Sequence, residues 1–394
     1  MKTLIHNIRI ITEKEILLNH KIVFDDDIIE GIFYENESIE NIDNLIDGHH
    51  CYLSAGWIDL HVHGGGGSDF MDDDPQRFKV ITQKHMIHGL TSMLATTLAG
   101  RNEEVLSLLR ELPDENDDTC GTKIIGVHME GPYFALEQKG AQDSRFIRNP
   151  DLDEIKMFLN ESSRIKRWSI APELPLAHES AQLLNNHNIL VSIAHTNADA
   201  NEILLAEEKG FRCVTHLYSA MTSIYKKNGI RHAGGVEGTF LSQNLSAELI
   251  ADGVHLPKEI IKLSFKILGS DRIILTTDAM RAAGLNTKTS ILGSLKYGQP
   301  VIIKDSVAKL PDESSLAGSV ATMDRLVKTC LESGINLVDT IKSITFNPAQ
   351  LIYRQDLGQL KPKAKADAVM FNDDIDIIRV FVNGQCRYER GNYD

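Results

Sequence analysis

Apolar positions along the chain follow two different rhythms. Over residues 1–52 they form short runs, Leu4–Ile11, Ile16–Phe24 and Ile28–Tyr34, broken by Glu, Asp and Asn. Such runs bounded by turn residues, here Asp25-Asp26-Asp27 and Glu30-Gly31, predict strands. From Ala55 the rhythm changes. Continuous apolar runs of strand length now alternate with longer stretches of helical periodicity. The predicted strands are Trp57–His63, Leu90–Thr97, Ile124–Glu130, Trp168–Glu173, Ile189–His195, Cys213–His216, Leu245–Asp252 and Ile273–Asp278. Helices are predicted between them, among them Pro75–His88, Asn102–Leu112, Ala177–Asn186 and Ala198–Lys209. Buried strands alternating with helices eight times over predict an α/β fold, a (β/α)8 TIM barrel.

Beyond the barrel strands, Asp324–Leu331, Leu337–Thr345 and a short segment opened by Asn347-Pro348-Ala349 read as closing helices. Gly358–Leu360 and Ala368–Phe371 return to strand. Asp376–Val382 followed by Asn383-Gly384 reads as a hairpin. Both ends of the chain are therefore strand-rich. The predicted organisation is a small β-sandwich domain made of residues 1–54 and 357–394, with the barrel of residues 55–356 inserted between its halves.

Composition narrows the class. The chain has 394 residues, enough for a large core plus a smaller unit. A net charge of −14 argues against nucleic acid or an anionic membrane as partner, while leaving room for a small anionic molecule in a local positive pocket. Cys51, Cys120, Cys213, Cys330 and Cys386 are scattered and odd in number, as expected of reduced thiols. With no apolar leader core and no run long enough to span a bilayer, they predict a cytoplasmic protein.

The candidate chemistry sits where the predicted strands end. His61 and His63 lie two apart, so on a strand both imidazoles project to one side, and four glycines follow at once. Other strands end at His128-Met129-Glu130, His195, His216, Asp252-Gly253-Val254-His255 and Asp278. In a barrel of this type chemistry gathers at the C-terminal ends of the strands. An ionisable group closing an apolar run is costly unless it is paired or binds metal. Histidines with a carboxylate suit a divalent cation that keeps a position for water. Asp278, on the last strand, can take a proton from that water and return it to a leaving group. Among possible ions, His, Glu and Asp donors without thiolate suit Zn2+, Fe2+, Mn2+ or Co2+, as one ion or two.

These stretches resemble the amidohydrolase superfamily, and within it the N-acetylglucosamine-6-phosphate deacetylases. The resemblance rests on Gly56-Trp57-Ile58-Asp59-Leu60-His61-Val62-His63-Gly64, His128-Met129-Glu130-Gly131-Pro132, Lys139-Gly140-Ala141-Gln142 and His195-Thr196. It extends through His216-Leu217-Tyr218-Ser219-Ala220-Met221, Ala251-Asp252-Gly253-Val254-His255, Thr277-Asp278-Ala279-Met280 and Leu316-Ala317-Gly318-Ser319. It implies removal of acetate from N-acetylglucosamine 6-phosphate. It also implies Glu130, His195 and His216 as principal metal ligands, His61 and His63 as builders of a second metal position, and Asp278 as a further metal-site residue and the catalytic acid and base. His255 is implied to contact the substrate near the amide. Ala141, Ser219, Ala220, Leu316, Ala317 and Gly318 are implied to line the sugar site, in a homodimer.

Two departures stand out. Ser219 replaces the usual asparagine before Ala-Met. The usual Arg-Glu-Pro-Gly stretch, whose arginine binds phosphate and often comes from the neighbouring subunit, is replaced by Lys226-Lys227-Asn228-Gly229-Ile230-Arg231-His232. Arg231 is the best counterpart, His232 its competitor, and Lys226 and Lys227 further candidates. Deacetylation of N-acetylgalactosamine 6-phosphate or of an unphosphorylated sugar is the alternative activity. A different amidohydrolase reaction and a non-catalytic homologue are more distant ones.

Overall fold

The computed structural model describes residues 1–391 and contains two eight-stranded sheets, one forming the barrel and one made from the chain termini. The barrel strands are β1 (Trp57–Val62), β2 (Leu90–Thr96), β3 (Lys123–Glu130), β4 (Ile165–Ile170), β5 (Leu190–Ile193), β6 (Cys213–Val214), β7 (Ser246–Leu249) and β8 (Ile273–Leu275). Each pairs in parallel with the next, from β1 across to β8. The sheet closes on itself just past its ends. There Asp278 N–H donates to the His61 carbonyl at 3.0 Å and His63 N–H to that of Ala279 at 2.9 Å.

The strands are nearly continuous apolar runs because helices cover their outer face while the inner face fills the barrel. Ile58, Leu60, Leu94, Ile125, Leu190 and Cys213 pack as one cluster, joined by Ala349, Ile352 and Leu357 from and beside the helix Phe346–Leu351. The outer layer packs Trp57, Met93, Trp168 and Val191 against residues such as Phe78, Leu108, Phe158 and Ile203. Helix starts follow the capping rules. Asp151 accepts the amides of Asp153 and Glu154, and Asp199 with Glu202 forms a capping box.

The terminal sheet joins Lys2–Ile11, Ile16–Asp25, Ile28–Tyr34, Asn44–Asp47 and Tyr52–Ala55 with Ala368–Phe371, Ile377–Val382 and Gln385–Glu389. Strand Tyr52–Ala55 is the link, paired to Lys2–Ile11 on one side and Ala368–Phe371 on the other. The sheet docks on the barrel through Phe371, whose ring lies edge-on to Trp57 at 5.6 Å, and through a buried Lys123–Asp367 ion pair at 2.5 Å. Gly358–Leu360, expected as a strand, has no strand pairing. Three features were not foreseen. They are the strands Asn44–Asp47 and Tyr52–Ala55, an exposed hairpin of Tyr225–Lys227 and Ile230–His232, and a three-stranded sheet of Thr289–Leu292, Gln299–Lys304 and Val307–Lys309. Among the described residues no helix is long and apolar enough to cross a membrane.

Candidate active site and metal centre

A cleft of about 570 Å3 opens at the C-terminal ends of the barrel strands, within the usual size range for small-molecule sites. His63, Glu130, His195, His216, His255 and Asp278 line it. β1 carries His61, and His63 follows immediately after it. β3 ends on Glu130, while His195, His216 and Asp278 lie two or three residues past the ends of β5, β6 and β8. Those last three residues share a backbone feature. His195, His216 and Asp278 all have positive φ, at 47°, 31° and 48°. The left-handed conformation ends each strand early. It costs of order 1–3 kcal/mol per residue and clusters at functional sites.

Glu130 is the hub. Its Oε1 lies 3.1 Å from His216 Nε2, 3.4 Å from His195 Nε2 and 3.5 Å from His61 Nε2, and its Oε2 lies 3.4 Å from His63 Nε2. Two donor sets of ligand spacing result, His61–His63–Glu130 and Glu130–His195–His216, all buried. Asp278 Oδ1 stands 3.2 Å from His63 Nε2 and 3.5 Å from His61 Nε2. Burial alone would lower the pKa of both β1-end imidazoles. The facing carboxylates Asp278 and Glu130 outweigh it, raising His61 to about 10 and His63 to about 9. The same fields hold Asp278 and Glu130 below the usual carboxylate range despite the cost of burying them. Within each set the imidazole nitrogens and the carboxylate oxygen all lie within 4.8 Å of one another, so the donor sets fit a divalent cation.

The surrounding shell sets ring orientation. His195 Nδ1 is 2.7 Å from the Gln138 carbonyl, leaving Nε2 to face Glu130. Gln142 bridges the Ala99 amide and Glu130, donating to Oε2 at 2.6 Å. His255 Nδ1 meets Asp252 Oδ2 at 2.9 Å. Asp59 ties β1 to β8, accepting from Thr276 Oγ1, from Thr277 N and Oγ1, and from His61 N. Burial pushes it up to about 6 in spite of those bonds. The glycine run after His63 is needed for two reasons. A Cβ on Gly64 would lie 2.3 Å from the Ser68 carbonyl oxygen, whereas Gly66 and Gly67 take φ of 63° and 104°.

Ala141, Ser219, Ala220, Leu316 and Gly318 line the cleft, as does Lys139. Ala317 does not line it: its side chain is buried beneath, with Met280 and Val301. Arg231 is absent from the lining too, because it sits on the exposed hairpin with Lys226, Lys227 and His232. Asp59, Gln138, Gln142, Arg167 and Glu248 support the site but were not singled out from sequence. For Asp59, Arg167 and Glu248 the available signal was a charged side chain within or beside an apolar strand; Gln138 acts through its backbone carbonyl and Gln142 lies in a loop, so neither offered one.

The geometry makes a distinction that can be measured. His61 and His63 belong to only one of the two donor sets. His61→Ala combined with His63→Ala is expected to lower bound metal while leaving the Glu130–His195–His216 set loaded. Elemental analysis of the purified double variant checks this, and complete loss of metal contradicts it.

The amidohydrolase family profile matches residues 52–387. The chain is 31% identical to an N-acetylglucosamine-6-phosphate deacetylase of Bacillus subtilis, over 98% of this chain and 97% of that one. It is 28% identical to an N-acetylgalactosamine-6-phosphate deacetylase of a Shewanella strain, over 86% and 83%. Its fold superposes on the crystal structure of an N-acetylglucosamine-6-phosphate deacetylase from Pasteurella multocida with a TM-score of 0.90, at 27% identity, over 98% and 99% of the two chains. Motifs, barrel and relatives agree, and the chain belongs to the amidohydrolase family.

Proposed function

We propose that this protein is a metal-dependent deacetylase. It hydrolyses the acetamide of N-acetyl-D-glucosamine 6-phosphate to D-glucosamine 6-phosphate and acetate, as a carbon–nitrogen hydrolase acting on a linear amide. The observation that carries this reading is the placement of Asp278 beside two buried donor sets that share Glu130, on a cleft also lined by His255. Relatives named for this reaction, matched over nearly the whole chain, support the substrate.

When bound, a divalent ion held by Glu130, His195 and His216, with a second at His61, His63 and Glu130, supplies polarisation of the amide carbonyl and a lowered pKa for water. Asp278, whose Oδ1 faces the donor sets 3.2 Å from His63 Nε2, accepts the proton of the attacking water and returns it to the amide nitrogen as the C–N bond breaks. His255 is anchored by Asp252 through Nδ1, which leaves Nε2 free to contact the substrate near the reacting amide. Ala141 and the Ser219-Ala220 backbone line the sugar position. A cytoplasmic homodimer is part of this reading.

Phosphate recognition is assigned to Arg231. Its exposed hairpin does not line the cleft of its own chain, so in this reading Arg231 serves a neighbouring subunit of the homodimer, whereas Lys139 lines the cleft of its own chain. Guanidinium matches phosphate through paired donors, and a hydrogen bond to a charged group contributes about 1.5–3 kcal/mol. Arg231→Ala should lower kcat/KM for the phosphorylated sugar by roughly 10- to 150-fold, mostly in KM, and spare the unphosphorylated sugar. Steady-state kinetics on both sugars test this. Equal losses on the two sugars make Arg231 structural. A phosphate-selective loss in Lys139→Ala but not Arg231→Ala moves the anchor into the cleft's own chain. The Shewanella relative makes N-acetylgalactosamine 6-phosphate the competing substrate, and the same assay with both epimers decides between them.

A further inference from the structure

Beneath the donor sets, inside the barrel, lies a buried ion pair that the proposed reaction does not use. Arg167 of β4 and Glu248 of β7 are both 0% exposed. Arg167 Nη2 donates to Glu248 Oε2 at 2.8 Å, and Nη1 donates to Oε1. The remaining guanidinium donors reach Ser192 Oγ at 2.9 Å, Thr215 Oγ1 at 2.8 Å and the Leu60 carbonyl at 3.3 Å. All five N–H groups are thereby satisfied. Such a pair is expensive to bury, and apolar residues of similar volume would often serve stability as well or better. Its presence calls for another reason.

That reason lies above it. Glu248 Oε2 is 3.6 Å from His61 Nδ1, and that nitrogen has no hydrogen-bond partner within normal range. The other nitrogen of the ring, Nε2, faces Glu130, His63 and Asp278. The His128 ring stands edge-on to His61 at 4.6 Å and limits its tilt. His61 therefore spans two layers, with a carboxylate below and the metal-ligand cluster above. A ligating histidine usually donates its second N–H to a carboxylate or carbonyl, which fixes its tautomer and orientation.

We propose that Glu248, held in place by Arg167, is a positioning residue for the second metal: it receives His61 Nδ1–H and so presents His61 Nε2 to the ion. This rests on the reading of His61 and His63 as ligands of a second metal position. Arg167 acts by keeping the carboxylate aimed and charge-compensated, with Ser192 and Thr215 completing its fork. Glu248 Oε2 also accepts the His216 backbone N–H at 3.4 Å, but neither imidazole ring of the Glu130–His195–His216 set meets Glu248, and the His195 ring is oriented by the Gln138 carbonyl instead.

The test is zinc content of the full-length protein after loading with Zn2+ and graded dialysis, measured alongside thermal unfolding. Wild type should retain two ions per chain. Glu248→Gln should weaken one of them by about 10- to 100-fold, the range found for such outer-shell partners, and leave the other in place. Because Glu248→Gln strands a buried guanidinium, the paired variant Arg167→Met/Glu248→Leu is the companion: it removes both charges and should fold, yet lose the same ion. In a His61→Ala background, adding Glu248→Gln should cost no further zinc. Two ions retained in the paired variant, equal weakening of both positions, or additive loss with His61→Ala each overturn the proposal. A wild type that binds a single ion overturns the two-position reading itself, which distinguishes that failure from a positional one.

Discussion

Glu130→Ala is expected to strip both metal positions together, and with them nearly all turnover. Glu130 is the one carboxylate common to the two donor sets. Its Oε1 is within 3.5 Å of three imidazole nitrogens and its Oε2 is 3.4 Å from a fourth. Alanine leaves those histidines facing one another, with Asp278 as the carboxylate beside the Nε2 atoms of His61 and His63. Gln142 also loses the acceptor it holds at 2.6 Å. Outer-shell partners of metal ligands cost about 10- to 100-fold in affinity or activity when removed, and a shared primary ligand should exceed the upper figure. Elemental analysis and an amide-hydrolysis assay on one preparation read both effects. Unchanged metal content in Glu130→Ala would sink the assignment.

Asp278→Asn is expected to separate metal binding from chemistry. Asparagine keeps the size of the side chain and tolerates the left-handed φ of 48° found here, so the backbone turn after β8 should survive. It cannot accept and return a proton as a carboxylate does. Loss of a general acid and base costs about 100- to 10,000-fold, and the loss should fall on kcat while KM and bound metal stay near wild type. Near-normal turnover at full metal occupancy removes Asp278 from the mechanism.

The barrel was legible because buried parallel strands leave continuous apolar runs, and the ionisable residues ending those runs stood out against them. What the runs did not show is where each strand stops. Ile189–His195 and Cys213–His216 read as strands to their last residue, but pairing ends at Ile193 and Val214. His195 and His216 turn to positive φ with no glycine or asparagine to announce it, so tertiary contacts impose the turn. The three-stranded sheet over residues 289–309 was missed for the opposite reason. Its strands are short and mixed in polarity, and Thr289, Pro300 and Lys304 face solvent.

Charge inside the barrel was the harder signal. Glu248 lay within the predicted strand Leu245–Asp252, and Arg167 stood just before Trp168–Glu173. Neither could be matched to a partner 81 residues away until the strands were assembled in space. Arg231 shows the converse limit. Spacing along the chain suggested a role at the cleft, but Arg231 lies on an exposed hairpin and does not line the cleft of its own chain.

Acetate release is the most direct test of the central claim. The metal-replete protein is assayed on N-acetylglucosamine 6-phosphate, its galactosamine epimer and the unphosphorylated sugars, before and after chelation. The account predicts acetate and free amine in equal amounts, fastest from N-acetylglucosamine 6-phosphate, lost on chelation and restored by a divalent ion. Metal-replete protein that releases acetate from none of these sugars, or releases it undiminished after complete metal removal, contradicts it.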